Sequence, residues 1–219
     1  MINLLLHELP ESVEVGGIDY PINWGYRAII LIEICMFDDT RSEEQRVLDA
    51  LNIFYQKNIP PDFSEALSKL MWFYRCGKQK ANEDRKGSSK KQVRRCYCFS
   101  QDAPYIYAAF QTQYGLDLNA TKNLELHWWK FHAMFEAFGE ELKISKIMYY
   151  RSVSVAGFSK EQKRFLNEMK KLYAPKESDA SLDDKVRLTK RNAEMKDYVR
   201  RRAMDSYGVS EGYMSKMRI

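Results

Sequence analysis

Histidine is scarce in this chain, three in 219 residues, and His127 and His132 stand five apart. On a helix that spacing turns them about 140° away from each other, so they cannot close on one metal ion as an i, i+4 pair does. Cysteine is nearly as sparse, with four. Cys35, Cys76, Cys96 and Cys98 make no disulfide framework, and the one close pair has a single residue between its members rather than the two of a C-x-x-C site. A zinc site would have to gather Cys76, Cys96, Cys98 and a histidine from distant positions, so reduced structural thiols are expected. Phosphate loops, dinucleotide glycine fingerprints and G-x-S-x-G elbows are all missing, and the carboxylates are scattered among lysines and arginines. These absences lead to an expectation of no enzymatic activity, no metal and no cofactor.

Long apolar runs are lacking too. The longest, residues 28–37, is broken by Glu33 and is far short of the ~20 residues that a membrane helix needs. The opening MINLLLHELPES has neither a basic leader nor a long apolar segment, which leads to the expectation of a protein kept in the cytoplasm of its host, with no membrane contact.

What is present is 30% charged and 13% aromatic, the composition of a globular protein large enough to bury a real core. The formal net charge of +5 is local. Residues 77–95 hold eight basic side chains against two acidic ones, so the rest of the chain is close to neutral. A Lys-, Gly- and Ser-rich segment of this kind is expected to be a solvated linker. Its functional alternative is salt-sensitive binding of nucleic acid through Lys90, Lys91, Arg94 and Arg95, together with the Arg200, Arg201, Arg202 run.

Along the chain, Val13 and Val15, Gly16-Gly17, then Ile18, Tyr20 and Ile22 predict a two-stranded hairpin, since paired glycines supply the positive φ angles of a tight turn. A helix follows over 24–37. Ser42 and Gln45 have capping-box spacing and open a second helix, carrying Val47, Leu48, Leu51 and Phe54 on one side. Pro60-Pro61 breaks the chain, Asp62 with Glu65 starts a third helix through Ala66, Leu70 and Phe73, and Gly77 ends it. After the basic linker come two aromatic helices, a short segment over 144–150, and a helix opening at Ser159 with Gln162, whose expected stripe is Phe165, Met169 and Leu172. Beyond Pro175 a polar helix over 182–206 shows only a thin stripe through Val186, Ala193 and Val199. The predicted fold is mainly α: an N-terminal β-hairpin packed on a multi-helix bundle, with a weakly anchored C-terminal helix. The predicted parts are 1–77, the basic linker 78–95, an aromatic-rich helical part 96–175, and a charged tail 176–219.

Residues 99–152 are the most informative. Asp102 is expected to cap the first aromatic helix, with Pro104 in its first turn and Gly115 as a left-handed stop, which places Tyr107, Phe110 and Tyr114 on one face. The second helix is expected from Thr121 to Gly139, with Leu124, Trp128, Phe131, Phe135 and Phe138 in one stripe and Trp129 and Met134 off it. So apolar a pair of helices is either sandwiched in a core or presented to a partner. In the second case Tyr107, Phe110, Tyr114, Trp128, Trp129, Phe131 and Phe135 are the candidate contacts.

A family resemblance rests on these residues: Gln101, Asp102, the run 105–110, Tyr114-Gly115, the run 127–131 and the run 145–151. It extends to residues 1–9, Leu9-Pro10, Val15-Gly16-Gly17, Tyr20-Pro21-Ile22, Arg27 and the run 73–78, and so covers roughly residues 1–175. Over that length the chain resembles a bacteriophage tail-region family called gene product fifteen. In such phages the corresponding gene commonly lies beside that of the tape-measure protein. The resemblance therefore implies a tail assembly chaperone, with the tape-measure protein and the tail-tube protein as partners. Self-association is compatible with that role, and no catalytic residues carry over.

Overall fold

A computed structural model describes residues 3–38, 40–78, 96–120 and 125–175, and everything below concerns these. The hairpin forms as its sequence predicts: β1 (Ser12–Val15) pairs antiparallel with β2 (Ile18–Pro21), Val13 opposite Tyr20. Gly16 and Gly17 sit at φ +58° and +76°, which suits residues without a Cβ. Val13 and Val15 face inward while β2 is largely exposed, and the Gly16 amide donates to Glu65 Oε2 at 2.9 Å, fastening the turn to the helix that starts at Phe63.

Seven helices follow among the described residues: α1 (Tyr26–Met36), α2 (Glu43–Phe54), α3 (Phe63–Tyr74), α4 (Phe99–Tyr114), α5 (Trp128–Glu136), α6 (Lys143–Ser152) and α7 (Lys160–Leu172). The mainly helical architecture with a leading hairpin is the predicted one. Both capping boxes are formed, Ser42 with Gln45 and Ser159 with Gln162, and Asp62 accepts from the Glu65 amide. Gly115 ends α4 at φ +62° as predicted. The 182–206 helix and its weak anchoring lie outside the described residues.

Three boundaries or faces differ from the prediction, each for a physical reason. α4 begins at Phe99 with Cys98 as cap, so Asp102 is not the cap residue and Pro104 falls inside the helix. Asp102 instead reaches back from the first turn and accepts from the Cys98 amide at 2.8 Å. Pro104 deprives the Ser100 carbonyl of its helical donor, and Ser100 lies where water reaches it. α5 is shorter than predicted: Thr121 and Leu124 lie outside the described residues, the helix begins at Trp128 because His127 is extended and its backbone bridges Gly25, and it ends at Glu136 rather than Gly139. In α7 the buried side chain is Leu166; Phe165 and Leu172 of the predicted stripe are 50% and 66% exposed.

One apolar cluster joins the hairpin to α1 through α6, centred on Phe54, Phe73, Phe110, Phe131 and Trp128. α1 lies centrally, packed chiefly on α2 and also on α4 and α5. Leu166 stands outside that cluster, so α7 is held mainly by α6.

Candidate functional site

The aromatic residues singled out in the sequence are brought together, but as core. Trp128, Trp129, Phe131, Phe135 and Phe110 are all buried, and Phe131 stacks on Tyr26 (4.9 Å between centroids) and Phe110 (4.7 Å). Tyr107 and Tyr114 are half-buried, with hydroxyls donating to Asp117 Oδ1 (2.8 Å) and the Met134 carbonyl (2.9 Å). The expected partner contacts are therefore turned against the chain itself. Trp129 lies off the α5 stripe because it packs on α3, where it meets Trp72 and Phe73.

Two neighbouring indoles close the end of α3. A helix leaves its last carbonyls without intrahelical donors; here Trp128 Nε1 donates to Tyr74 O (3.0 Å) and Trp129 Nε1 to Phe73 O (2.8 Å). Gly77, at φ +72°, completes the fit, since a Cβ there would come within 3.1 Å of Trp129 Cη2.

His127 sits between these parts. Its Nδ1 accepts from the Trp129 amide (3.0 Å), which leaves Nε2 to donate to the Pro10 carbonyl (3.1 Å). The ring stacks on Trp24, 5.6 Å between centroids. Burial holds its pKa below the ordinary imidazole value, so the neutral ring is the capping form. His132 is likewise held down, first by burial, with Glu136 opposing. It lines a shallow cavity of about 440 Å³ with Tyr97, Phe135, Phe138, Ser145 and Met148.

Four further polar locks were not visible in the sequence. Asp102 and Arg151, both buried, form a bidentate pair at 2.5 and 3.0 Å, and the same guanidinium donates to the carbonyls of Cys96 (3.2 Å) and Tyr173 (2.6 Å). Arg41 pairs with Asp49 and Asp38 where α1 passes to α2. Tyr74 donates to the buried Glu33 at 2.7 Å, and burial together with that carboxylate raises its pKa. Arg27, with Tyr26, grips the Leu118 carbonyl.

For chemistry, the arrangement offers little convergence. No group of three His, Cys, Asp or Glu side chains fit to hold a metal occurs among the described residues. None of the four cysteines is in a disulfide, and burial pushes the Cys76 thiol up to about 12, keeping it protonated at neutral pH. No helix among the described residues is long and apolar enough to cross a membrane. Lys90, Lys91, Arg94, Arg95, Arg200, Arg201 and Arg202 lie outside the described residues.

A family model described as Bacteriophage Gp15 protein matches residues 5–174. The chain belongs to that bacteriophage Gp15 family. No curated protein and no solved structure matches it. In this Gp15 chain, the segments that carried the resemblance meet one another: 73–78 with 127–131 through the indoles, 101–110 with 145–151 through Asp102 and Arg151, and Arg27 with the turn after α4. These residues act as fasteners of this chain's fold.

Proposed function

We propose that this phage protein is a non-enzymatic tail assembly factor, a chaperone in the host cytoplasm that holds the tape-measure protein soluble until the tail tube polymerises around it. Family membership supplies the phage setting. The observation that carries the binding role is the outer face of α1 and its C-terminal cap, where Leu31, Ile34 and the cap residue Phe37 are 48%, 37% and 49% exposed. An amphipathic helix lays its apolar stripe along such a row, and a tape measure is a long helical chain with stripes of that kind. The contact is small, so strength comes from many copies along one partner, and tube subunits displace them one at a time.

Co-expression with the long tail protein tests this, read by solubility and by light scattering after size exclusion at low and high salt. A soluble multi-copy complex that survives high salt and is lost in a Leu31→Ser, Ile34→Ser, Phe37→Ser variant supports the reading. No complex, with the partner aggregating as it does alone, refutes it. Retention on single-stranded DNA at low salt, abolished by replacing Lys90, Lys91, Arg94 and Arg95, would favour the nucleic-acid alternative.

A further inference from the structure

α7 is held in a way the other described helices are not. α1 to α6 share one apolar cluster and are tied by long-range contacts such as Trp129 to Phe73 and Arg27 to Leu118, so none of them can leave without opening the core. α7 has one buried side chain, Leu166, and it lies outside that cluster. The ring and polar contacts that seat α7 come from a single stretch, residues 143–153. Phe165 packs edge-on against Tyr150 at 6.1 Å, and Tyr173, the residue that caps α7, stacks on the same ring at 6.0 Å. Lys143 Nζ donates to the Tyr173 hydroxyl (2.5 Å) and Arg151 Nε to the Tyr173 carbonyl (2.6 Å). An element attached in this way opens at a lower free energy than the whole fold, and it leaves its seat on α6 standing when it does.

The connector between the two helices, residues 153–159, is apolar along one side. Val153, Val155 and Phe158 are half-buried, while Ser154, Ala156 and Gly157 are exposed. Val153 is already extended, at φ −57° and ψ 134°, and valines alternating with small residues favour an extended chain. What folds α7 back onto α6 is the turn at Gly157, where φ is +85°. A Cβ at Gly157 would meet no atom within 4 Å, so only the backbone conformation opposes a side chain there.

We propose that α7 exchanges between two copies of this chain: the connector straightens, α7 of each copy takes the seat on α6 of the other, and a closed two-fold dimer results. The occupant of the seat is fixed by what already fills it, because α7 of a second copy brings the same Phe165 and Tyr173 to the same Lys143, Tyr150 and Arg151. Only the Gly157 turn and the contact of Lys170 Nζ with the Val153 carbonyl (2.5 Å) are given up, since both belong to the connector. The two straightened connectors run past each other at the two-fold axis, where their valines and Phe158 cover one another, a contact that a single copy lacks. The proposal is independent of the tape-measure role, because it concerns the purified chain alone.

The test is to hold the full chain at rising concentration just below its unfolding midpoint, cool it, and separate the products by size exclusion with light scattering. A dimer should build up with concentration and, once cooled and diluted, return to monomer slowly, because each return requires α7 to leave its seat. Gly157→Val strains the closed turn but not a straight connector, and it does so in both copies, so it should raise the dimerisation constant by about tenfold or more. Isotopically light and heavy chains are then mixed, heated and cooled together, and treated with an amine-reactive linker. The dimer should carry links from Lys143 or Lys146 of a light α6 to Lys170 or Lys171 of a heavy α7, and the monomer should carry links within one isotope only. An unaltered chain that gives no dimer at any concentration overturns the proposal, and so does a dimer in which every α6-to-α7 link stays within one isotope.

Discussion

Trp129 donates its indole N–H to the carbonyl of Phe73 at 2.8 Å, joining residues 56 positions apart and closing the end of α3 with the start of α5. Replacing Trp129 by phenylalanine keeps a ring but loses the indole's hydrogen bond, while the Cys76 amide still donates to the Phe73 carbonyl at 3.0 Å, so the cost should be about 0.5–1.5 kcal/mol. Alanine there also opens a cavity, at about 3–5 kcal/mol. Urea unfolding of the two variants should rank them in that order; equal and negligible losses would make Trp129 a surface group.

Gly77→Ala should disturb the same joint from the other side. A left-handed backbone costs an L-residue about 1–2 kcal/mol, and the new methyl presses on Trp129. The emission spectrum of the tryptophans reports the displacement, and the midpoint of urea unfolding reports the cost.

Arg151→Met removes the partner of a buried carboxylate and should cost about 3–5 kcal/mol. Adding Asp102→Leu removes the stranded charge. The double variant should therefore lose less than the sum of the single ones, with a coupling of about 0.5–3 kcal/mol in chemical denaturation.

Acid should weaken the fold early. Burial depresses His127 and His132 below their ordinary 6.5, so between the folded and unfolded values the unfolded chain binds more protons. Their contribution is fully present above pH 6.5 and is lost as pH falls through the folded values. Thermal melting followed from pH 7 to 5 should show the midpoint fall, and His127→Asn, which keeps a capping oxygen without titrating, should flatten that slope.

Leu166→Ala should release α7 without unfolding the rest, because Leu166 is its buried anchor outside the main core. Hydrogen exchange is the readout: protection should drop over residues 160–172 and persist in α1 to α5.

Local chemistry explains how much of this was legible. The capping boxes at Ser42 and Ser159 and the Gly16-Gly17 turn were readable because each is complete within four residues. Asp102 looked like a cap because its carboxylate does satisfy a helix start, yet its partner Arg151 is 49 residues away and leaves no local trace. His127 is a cap of a type that the usual Ser, Thr, Asp and Asn preference passes over. Periodicity found the aromatic stripe of α5 but not which side meets α3, and it chose Phe165 over Leu166 in α7 because size along a helix does not say where the neighbouring helix lies.

The Arg151 guanidinium that holds the Cys96 carbonyl has a practical consequence. Cys96 is held there, and on the other side of residues 79–95 the Gly77 amide donates to the Trp72 carbonyl at 3.0 Å, so both contacts are made by residues outside 79–95. An epitope tag or a protease site spliced between Gln79 and Arg95 leaves both of these contacts untouched, which makes this stretch the natural place to label the protein.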